Sequence, residues 1–189
     1  MRTLSVFNSI SLDGYFVDGK GDMSWAHNPD PEFQAFTEDN AKGGGLLVMG
    51  RITYDLMKSY WPTPLATKSD PVVAERMNAL PKLVFSRTLA EATWSNTRLV
   101  KGGLAAELRK MKKEGGPGMV IMGSGSIVAQ IAGEGLVDEY QFVVVPVVLG
   151  GGRTLFEGVG ERLGLRLAGS RSFANGNLFL RYVPAAPAE

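Results

Sequence analysis

Met119-Val120-Ile121-Met122-Gly123-Ser124-Gly125-Ser126-Ile127-Val128-Ala129-Gln130-Ile131 is an apolar run that breaks at glycine and resumes with helical spacing. Val120, Ile121 and Met122 suit a strand buried on both faces, whereas Ile127, Val128 and Ile131 suit a helix covering such a sheet. The stretch therefore predicts strand, tight turn and helix, with the turn at a helix N-terminus. Unpaired N–H groups at the positive end of a helix dipole favour an anion such as phosphate, and glycine lets it approach the main chain. Two readings stay open here: a phosphate cradle, or a helix start that needed a tight turn. Gly123 and Gly125 match only the first two glycines of G-x-G-x-x-G, and Val128 stands at the third, so this is not a Rossmann fingerprint.

The same design recurs upstream. Leu46 to Met49 reads as a buried strand that breaks at Gly50, and Arg51 to Met57 as a helix. Before it, Thr3 to Asn8 predicts a first strand ending near the Asp13-Gly14 turn, and Val17 to Asn28, with Trp25, a long loop. Asp30-Pro31 predicts an N-cap and first helical position, with Glu32 in the first turn, Phe33 and Phe36 on the core side, and an end at Gly43 to Gly45. A helix after Asp70-Pro71, a strand over 82–85, a short one over 98–100 and an amphipathic helix through Leu104, Leu108 and Met111 follow. Tyr140 to Leu149 is the most apolar strand, and Leu165–Phe173 and Leu178–Val183 flank Asn175-Gly176 as a hairpin. Alternating strands and helices closed by a hairpin predict an α/β fold: a mostly parallel central sheet with antiparallel strands at its C-terminal edge. One domain over 1–184 is expected, with 185–189 a frayed tail.

Twenty basic and nineteen acidic residues, spread along the chain, give a net charge of +1, which argues against nucleic-acid and membrane-surface roles. With no cysteine and one histidine, disulfide scaffolds, thiol nucleophiles and the usual metal centres are not expected. The chemistry falls to carboxylates, hydroxyls or a cofactor. No apolar run approaches the ~18 residues that span a bilayer, and a cytoplasmic protein is expected.

Five stretches in order resemble the dihydrofolate reductase superfamily, in particular the reductase domain of riboflavin-biosynthesis proteins and its stand-alone bacterial relatives. They are Ser11-Leu12-Asp13-Gly14, Val48-Met49-Gly50-Arg51-Ile52-Thr53-Tyr54-Asp55, Val84-Phe85-Ser86-Arg87, Ile121 to Ser126, and Val137-Asp138-Glu139 leading to Pro146-Val147-Val148-Leu149-Gly150-Gly151-Gly152. The resemblance implies a dihydrofolate-reductase-like three-layer sandwich that binds NADPH. Gly50 permits close approach, and Arg51 and Thr53 meet phosphate oxygens at a helix start. Ser86 and Arg87 match the family's site for the adenosine 2′-phosphate. Gly123, Ser124, Gly125 and Ser126, with Ile127 in the first helical turn, would cradle the pyrophosphate.

On the substrate side the resemblance points to a carboxylate in the helix after the Trp-bearing loop: Glu32, with Asp30 the competitor. Both also have plain structural readings, Asp30 as N-cap and Glu32 as a first-turn charge, and a helix N-terminus lowers a carboxyl pKa where a proton donor needs the opposite. Val143 stands where dihydrofolate reductases carry a pterin-holding threonine, and the Pro146–Gly152 stretch resembles the riboflavin branch instead. The expected activity is an NADPH-dependent reduction of a small heterocyclic or ribosylaminopyrimidine substrate, as by a 5-amino-6-(5-phosphoribosylamino)uracil reductase. A folate or other-pathway reductase, and a nucleotide-binding protein without turnover, are the alternatives. No deaminase domain is expected ahead of the first strand. A homodimer is expected through the apolar surface of Tyr140–Leu149 and the C-terminal hairpin.

Overall fold

In the computed structural model, which describes residues 1–185, the chain opens with β1 (Leu4–Ser11) and β2 (Tyr15–Asp18). It continues through α1 (Pro31–Lys42), β3 (Leu46–Gly50), α2 (Arg51–Tyr60), α3 (Pro64–Ser69), α4 (Pro71–Ala79), β4 (Lys82–Phe85) and β5 (Thr97–Val100). Then come α5 (Leu104–Glu114), β6 (Met119–Met122), α6 (Gly125–Ile131), β7 (Glu139–Val145), β8 (Gly152–Thr154), β9 (Leu165–Ser172) and β10 (Leu178–Pro184). Eight strands form one sheet in the order β5-β4-β3-β6-β1-β7-β10-β9, while β2 and β8 make a separate two-stranded ribbon. The first six of these strands pair in parallel, and β10 and β9 close the sheet antiparallel, as the sequence predicts.

Strand periodicity sends alternate side chains to two cores. Leu4, Val6, Val48, Ile121, Tyr140 and Phe142 pack with Leu108 and Met111 of α5 and Ile127, Val128 and Ile131 of α6. On the other face Leu47, Met49 and Val84 pack with Tyr54 of α2, Met77 of α4 and Trp94. The result is a three-layer sandwich of the dihydrofolate-reductase type.

The topology decides where a ligand can enter. Helix α1, which follows β1, lies against α4 on the second face, whereas α6, which follows the neighbouring β6, packs on the first. Connections that leave adjacent parallel strands toward opposite faces open a crevice at the strands' C-terminal ends.

Local chemistry sets the element ends. Asp30 Oδ1 accepts from the Phe33 N–H at 2.8 Å, and Pro31 opens α1. Asp13 does more than turn the chain. Its carboxylate accepts from Ser11 Oγ at 2.7 Å and from the N–H groups of Leu149 and Gly150 at 3.1 and 2.8 Å, clasping the loop after β7 to the end of β1. The Ser11 hydroxyl and these N–H groups hold the Asp13 carboxyl below its usual range, opposed in part by desolvation.

Several expectations shift. The segment read as loop over 17–28 contains β2, whose Val17 pairs with Arg153 of β8, and a 3₁₀ turn over Ser24–Ala26. The apolar strand expected through Leu149 stops at Val145 before Pro146, because the following residues serve the Asp13 clasp. Its side chains Tyr140, Phe142, Val143 and Val145 are buried within the chain, so they offer no surface to a partner. Of the tail, Ala185 donates to the Gly164 carbonyl at 2.9 Å, and 186–189 lie outside the described residues.

Candidate functional site

Three strand-to-helix turns meet at the C-terminal end of the parallel strands. Helices α2, α5 and α6 begin at Gly50, Gly103 and Ser124, and all three starts line one cleft of about 460 Å³. Each brings unpaired N–H groups and the positive end of its dipole. Arg51, Arg87, Lys101 and Arg153 line the same cleft, and no Asp or Glu does. Arg51 is held by Asp55 at 3.4 Å and by Thr88 Oγ1 at 2.9 Å, and Arg153 by Glu157 at 3.7 Å. Arg87 and Lys101 are exposed and carry no ion pair among the described residues. The cleft suits a polyanion.

The predicted residues Gly50, Arg51, Thr53, Ser86, Arg87, Ser124, Gly125, Ser126 and Ile127 all line it. Gly123 does not. Its φ of +61° sits in the left-handed region, and an added Cβ would lie 3.0 Å from both Thr53 Cγ2 and Oγ1, so glycine is required there for packing behind the turn. The turn is pinned from the same side. Ser124, itself at φ +63°, accepts from the Gly50 N–H at 2.7 Å and donates to Thr53 Oγ1 at 2.8 Å. Its hydroxyl ties α6 to α2 and leaves main-chain groups to face the cleft. Ser86 Oγ accepts from the N–H groups of Thr88 and Leu89 at 3.3 and 3.0 Å, which keeps its proton available. Lys101 and Arg153 escaped the sequence reading. Lys101-Gly102-Gly103 repeats the strand–glycine–helix signal and was readable, whereas Arg153 arrives through a pairing of β8 with β2 that no local pattern announces.

A second cavity of about 550 Å³ lies on the other face. Phe7 of β1, Met122 of β6, Phe33 of α1, Trp61 and Met77 supply apolar wall, and Asn28, Asp30, Thr37, Asp70 and Gln141 supply polar atoms. Met122 and Ser124, two residues apart across the β6 turn, belong to the second and first cavity respectively, so the strand end joins them. Asn28 and Asn175 exchange amide bonds with each other's carbonyls at 2.9 and 2.7 Å, fixing the loop before α1 against the β9–β10 turn.

The two candidate carboxylates separate. Glu32 lines neither cavity: it accepts from Arg171 at 2.8 Å, about half exposed, because the second position of α1 points outward. Asp30 lines the second cavity while one of its oxygens caps α1. Trp25 lines neither cavity and donates to the Asp22 carbonyl at 3.1 Å, and Tyr54 is a core residue whose hydroxyl accepts from the N–H groups of Thr93 and Trp94 at 2.9 Å. Val143 is buried in β7 away from both cavities. Among the described residues no helix is long and apolar enough to cross a membrane.

The family model of the RibD C-terminal domain matches residues 2–179. The chain belongs to the RibD C-terminal domain family. Two relatives from Bacillus subtilis (strain 168), the uncharacterized proteins YyaP and YwjB, are 30% and 26% identical over 176 and 184 residues. These alignments cover 92% of this chain and 90% of YyaP, and 97% of this chain and 99% of YwjB. Among solved structures, a protein of Shewanella sp. PV-4 provisionally named for riboflavin biosynthesis superposes with a TM-score of 0.74 at 26% identity, covering 97% of this chain and 99% of that one. A Thermotoga maritima diaminohydroxyphosphoribosylaminopyrimidine deaminase/5-amino-6-(5-phosphoribosylamino)uracil reductase superposes with a TM-score of 0.68 at 11% identity, covering 97% of this chain and 57% of that one, a likeness of fold. In this RibD C-terminal domain the two cavities meet at the end of β6, the basic one beyond the strand ends and the apolar one under α1 and α4.

Proposed function

We propose that this RibD C-terminal domain protein is an NADPH-dependent reductase, with its cofactor in the basic cleft and a small heterocyclic substrate in the apolar cavity beside it. The observation that carries this reading is one cleft receiving three helix N-termini and four basic side chains without a carboxylate, joined at the end of β6 to an aromatic-lined cavity. Arg51 and the starts of α2 and α6 would hold the pyrophosphate, and Ser86 with Arg87 the 2′-phosphate. Bound there, the dinucleotide supplies a hydride. The chain's own task is to position and to exclude water: Phe7 and Met122 wall the substrate side, and the Asn28–Asn175 clasp holds the loop that closes it. Of the two carboxylates expected from the sequence, Asp30 rather than Glu32 would meet the substrate, since Glu32 faces solvent.

Titration with NADPH and NADH, followed by steady-state oxidation with heterocyclic acceptors that include the ribosylaminopyrimidinone intermediate and dihydrofolate, tests the reading. Micromolar NADPH binding with turnover is expected. No binding of either dinucleotide would overturn it.

A further inference from the structure

The two cavities differ sharply in charge. Four cations line the first, and neither lysine nor arginine lines the second, whose ionisable groups are Asp30, Asp70 and His27. The helix starts that reach the second cavity offer no compensation. Helices α1 and α4 begin at Asp30 and Asp70, so each positive dipole end already has its own carboxylate. Two cations near α1 are engaged, and Lys68, two residues before Asp70, is exposed and lines neither cavity. Arg171 is bound to Glu32 at 2.8 Å beside α1, and Lys42 to Asp39 at 3.2 Å at its end.

Asp70 stands apart from Asp30. It is partly buried, lines the cavity, makes no side-chain capping bond, and has no hydrogen-bond or ion-pair partner for its carboxylate among the described residues. A carboxylate on an apolar cavity wall, beside Trp61, Val73 and Met77, favours an N–H donor or a cation and opposes a second anion.

We propose that this cavity selects a substrate without a phosphate or other anionic group, a neutral or protonated nitrogen heterocycle whose N–H donors Asp70 accepts. This rests on the reading of the cavity as the substrate's, and it departs from the phosphorylated pyrimidine named for the Thermotoga maritima neighbour. A phosphate dianion would leave water for a site that holds two carboxylates and no lysine or arginine, with only His27 and neutral donors such as Asn28 and Thr37 to offset its desolvation. The chain places its basic side chains in the cofactor cleft instead.

The test uses the full chain saturated with NADPH, so that the basic cleft is filled. Benzamidinium, benzamide and phenyl phosphate share one ring and differ in charge, and uridine with uridine 5′-monophosphate adds a matched pair of larger size. Each is titrated while the Trp61 indole and the methyl groups of Met77 and Met122 are followed by NMR. Benzamidinium or benzamide should bind at least about tenfold more tightly than phenyl phosphate, and uridine more tightly than its monophosphate. Asp70→Asn should weaken benzamidinium about fivefold or more and leave benzamide within about twofold. Phosphorylated probes that bind as tightly as their parents overturn the proposal, as do equal effects of Asp70→Asn on both probes, or probes that leave all three resonances unmoved. Failure of NADPH to bind is a separate result: it removes the reductase reading, while the same titrations on the free chain still decide the charge selectivity.

Discussion

Arg87 is the residue on which cofactor choice turns, because it is the free guanidinium beside Ser86 at the cleft wall. Arg87→Ala should weaken NADPH by about 1.5–3 kcal/mol, the scale of a charge-assisted hydrogen bond, and barely alter NADH. The preference then narrows about tenfold or more. Arg51→Ala should weaken both dinucleotides, since the pyrophosphate is common to them; equal losses on changing Arg87 would remove its assignment to the 2′-phosphate. The carboxylates can be separated in the same way. Asn caps a helix about as well as Asp, so Asp30→Asn should keep the stability of α1 while lowering turnover, whereas Asp30→Ala should also cost about 1 kcal/mol in a denaturation midpoint. Undiminished turnover in Asp30→Asn would leave Asp30 as a cap alone. With its carboxylate on Arg171, Glu32→Gln is expected to change both turnover and stability little, by about 0–1 kcal/mol for an exposed pair.

At the scale of elements, the start of α6 is fitted against the β2–β8 ribbon as closely as it is aimed at a ligand. A Cβ on Gly125 would lie 3.0 Å from Phe16 Cε1 and 3.3 Å from the Thr154 carbonyl oxygen. Gly125→Ala should therefore push the ribbon outward, destabilising the fold by about 1–3 kcal/mol and weakening NADPH through the displaced Arg153. Unchanged melting together with unchanged affinity would count against that coupling. The glycine turns were legible because their signals are local: apolar run, glycine, helical spacing. Of the two readings left open at Gly123 and Gly125, the tight turn is met at Gly123 by its packing on Thr53, while Gly125 packs on Phe16 and also lines the cleft. The ribbon was not legible, for its strands have four and three residues and its partners lie far apart in sequence. Helix α3 was not foreseen: it starts at Pro64 behind a Thr63 N-cap whose hydroxyl accepts from the Ala66 N–H at 3.2 Å. At Glu32 the direction was not legible, because which side of the first turn faces the cavity depends on how α1 docks.

For the whole molecule, burial of Tyr140, Phe142, Val143 and Val145 within one chain leaves the C-terminal hairpin as the remaining part of the expected dimer surface; Leu167 of β9 and Leu178 of β10 are exposed there, and we expect Leu178→Asp to shift a dimer to monomer in sedimentation. Two buried titratable groups then shape stability at alkaline pH. Lys82 is 1% exposed in β4, donates to the carbonyls of Asn78, Leu80 and Ser95 at 3.1, 2.7 and 3.2 Å, and lies 4.3 Å from the Trp94 ring centre. Burial nevertheless pushes its ammonium down from 10.5 to about 8. Between those values the unfolded chain binds more protons than the folded one, so this group makes stability rise with pH, by at most about 3 kcal/mol because the carbonyls and the ring favour the ammonium. Tyr140, buried in β7, acts in the opposite sense: burial raises its phenol from 10.0 to about 12, so above about pH 10 the unfolded chain loses its proton first and stability falls. The two contributions cross near pH 10, where their sum is greatest. Urea denaturation of the wild type, Lys82→Met and Tyr140→Phe from about pH 7.5 to about pH 11 separates them. Lys82→Met should be destabilised at neutral pH, because the Leu80 and Ser95 carbonyls lose a strong donor, and its deficit relative to wild type should widen from about pH 8 upward. Tyr140→Phe should instead gain on the wild type above about pH 10. A wild-type-minus-variant difference that stays flat across its window would show that the corresponding group titrates alike in folded and unfolded chains.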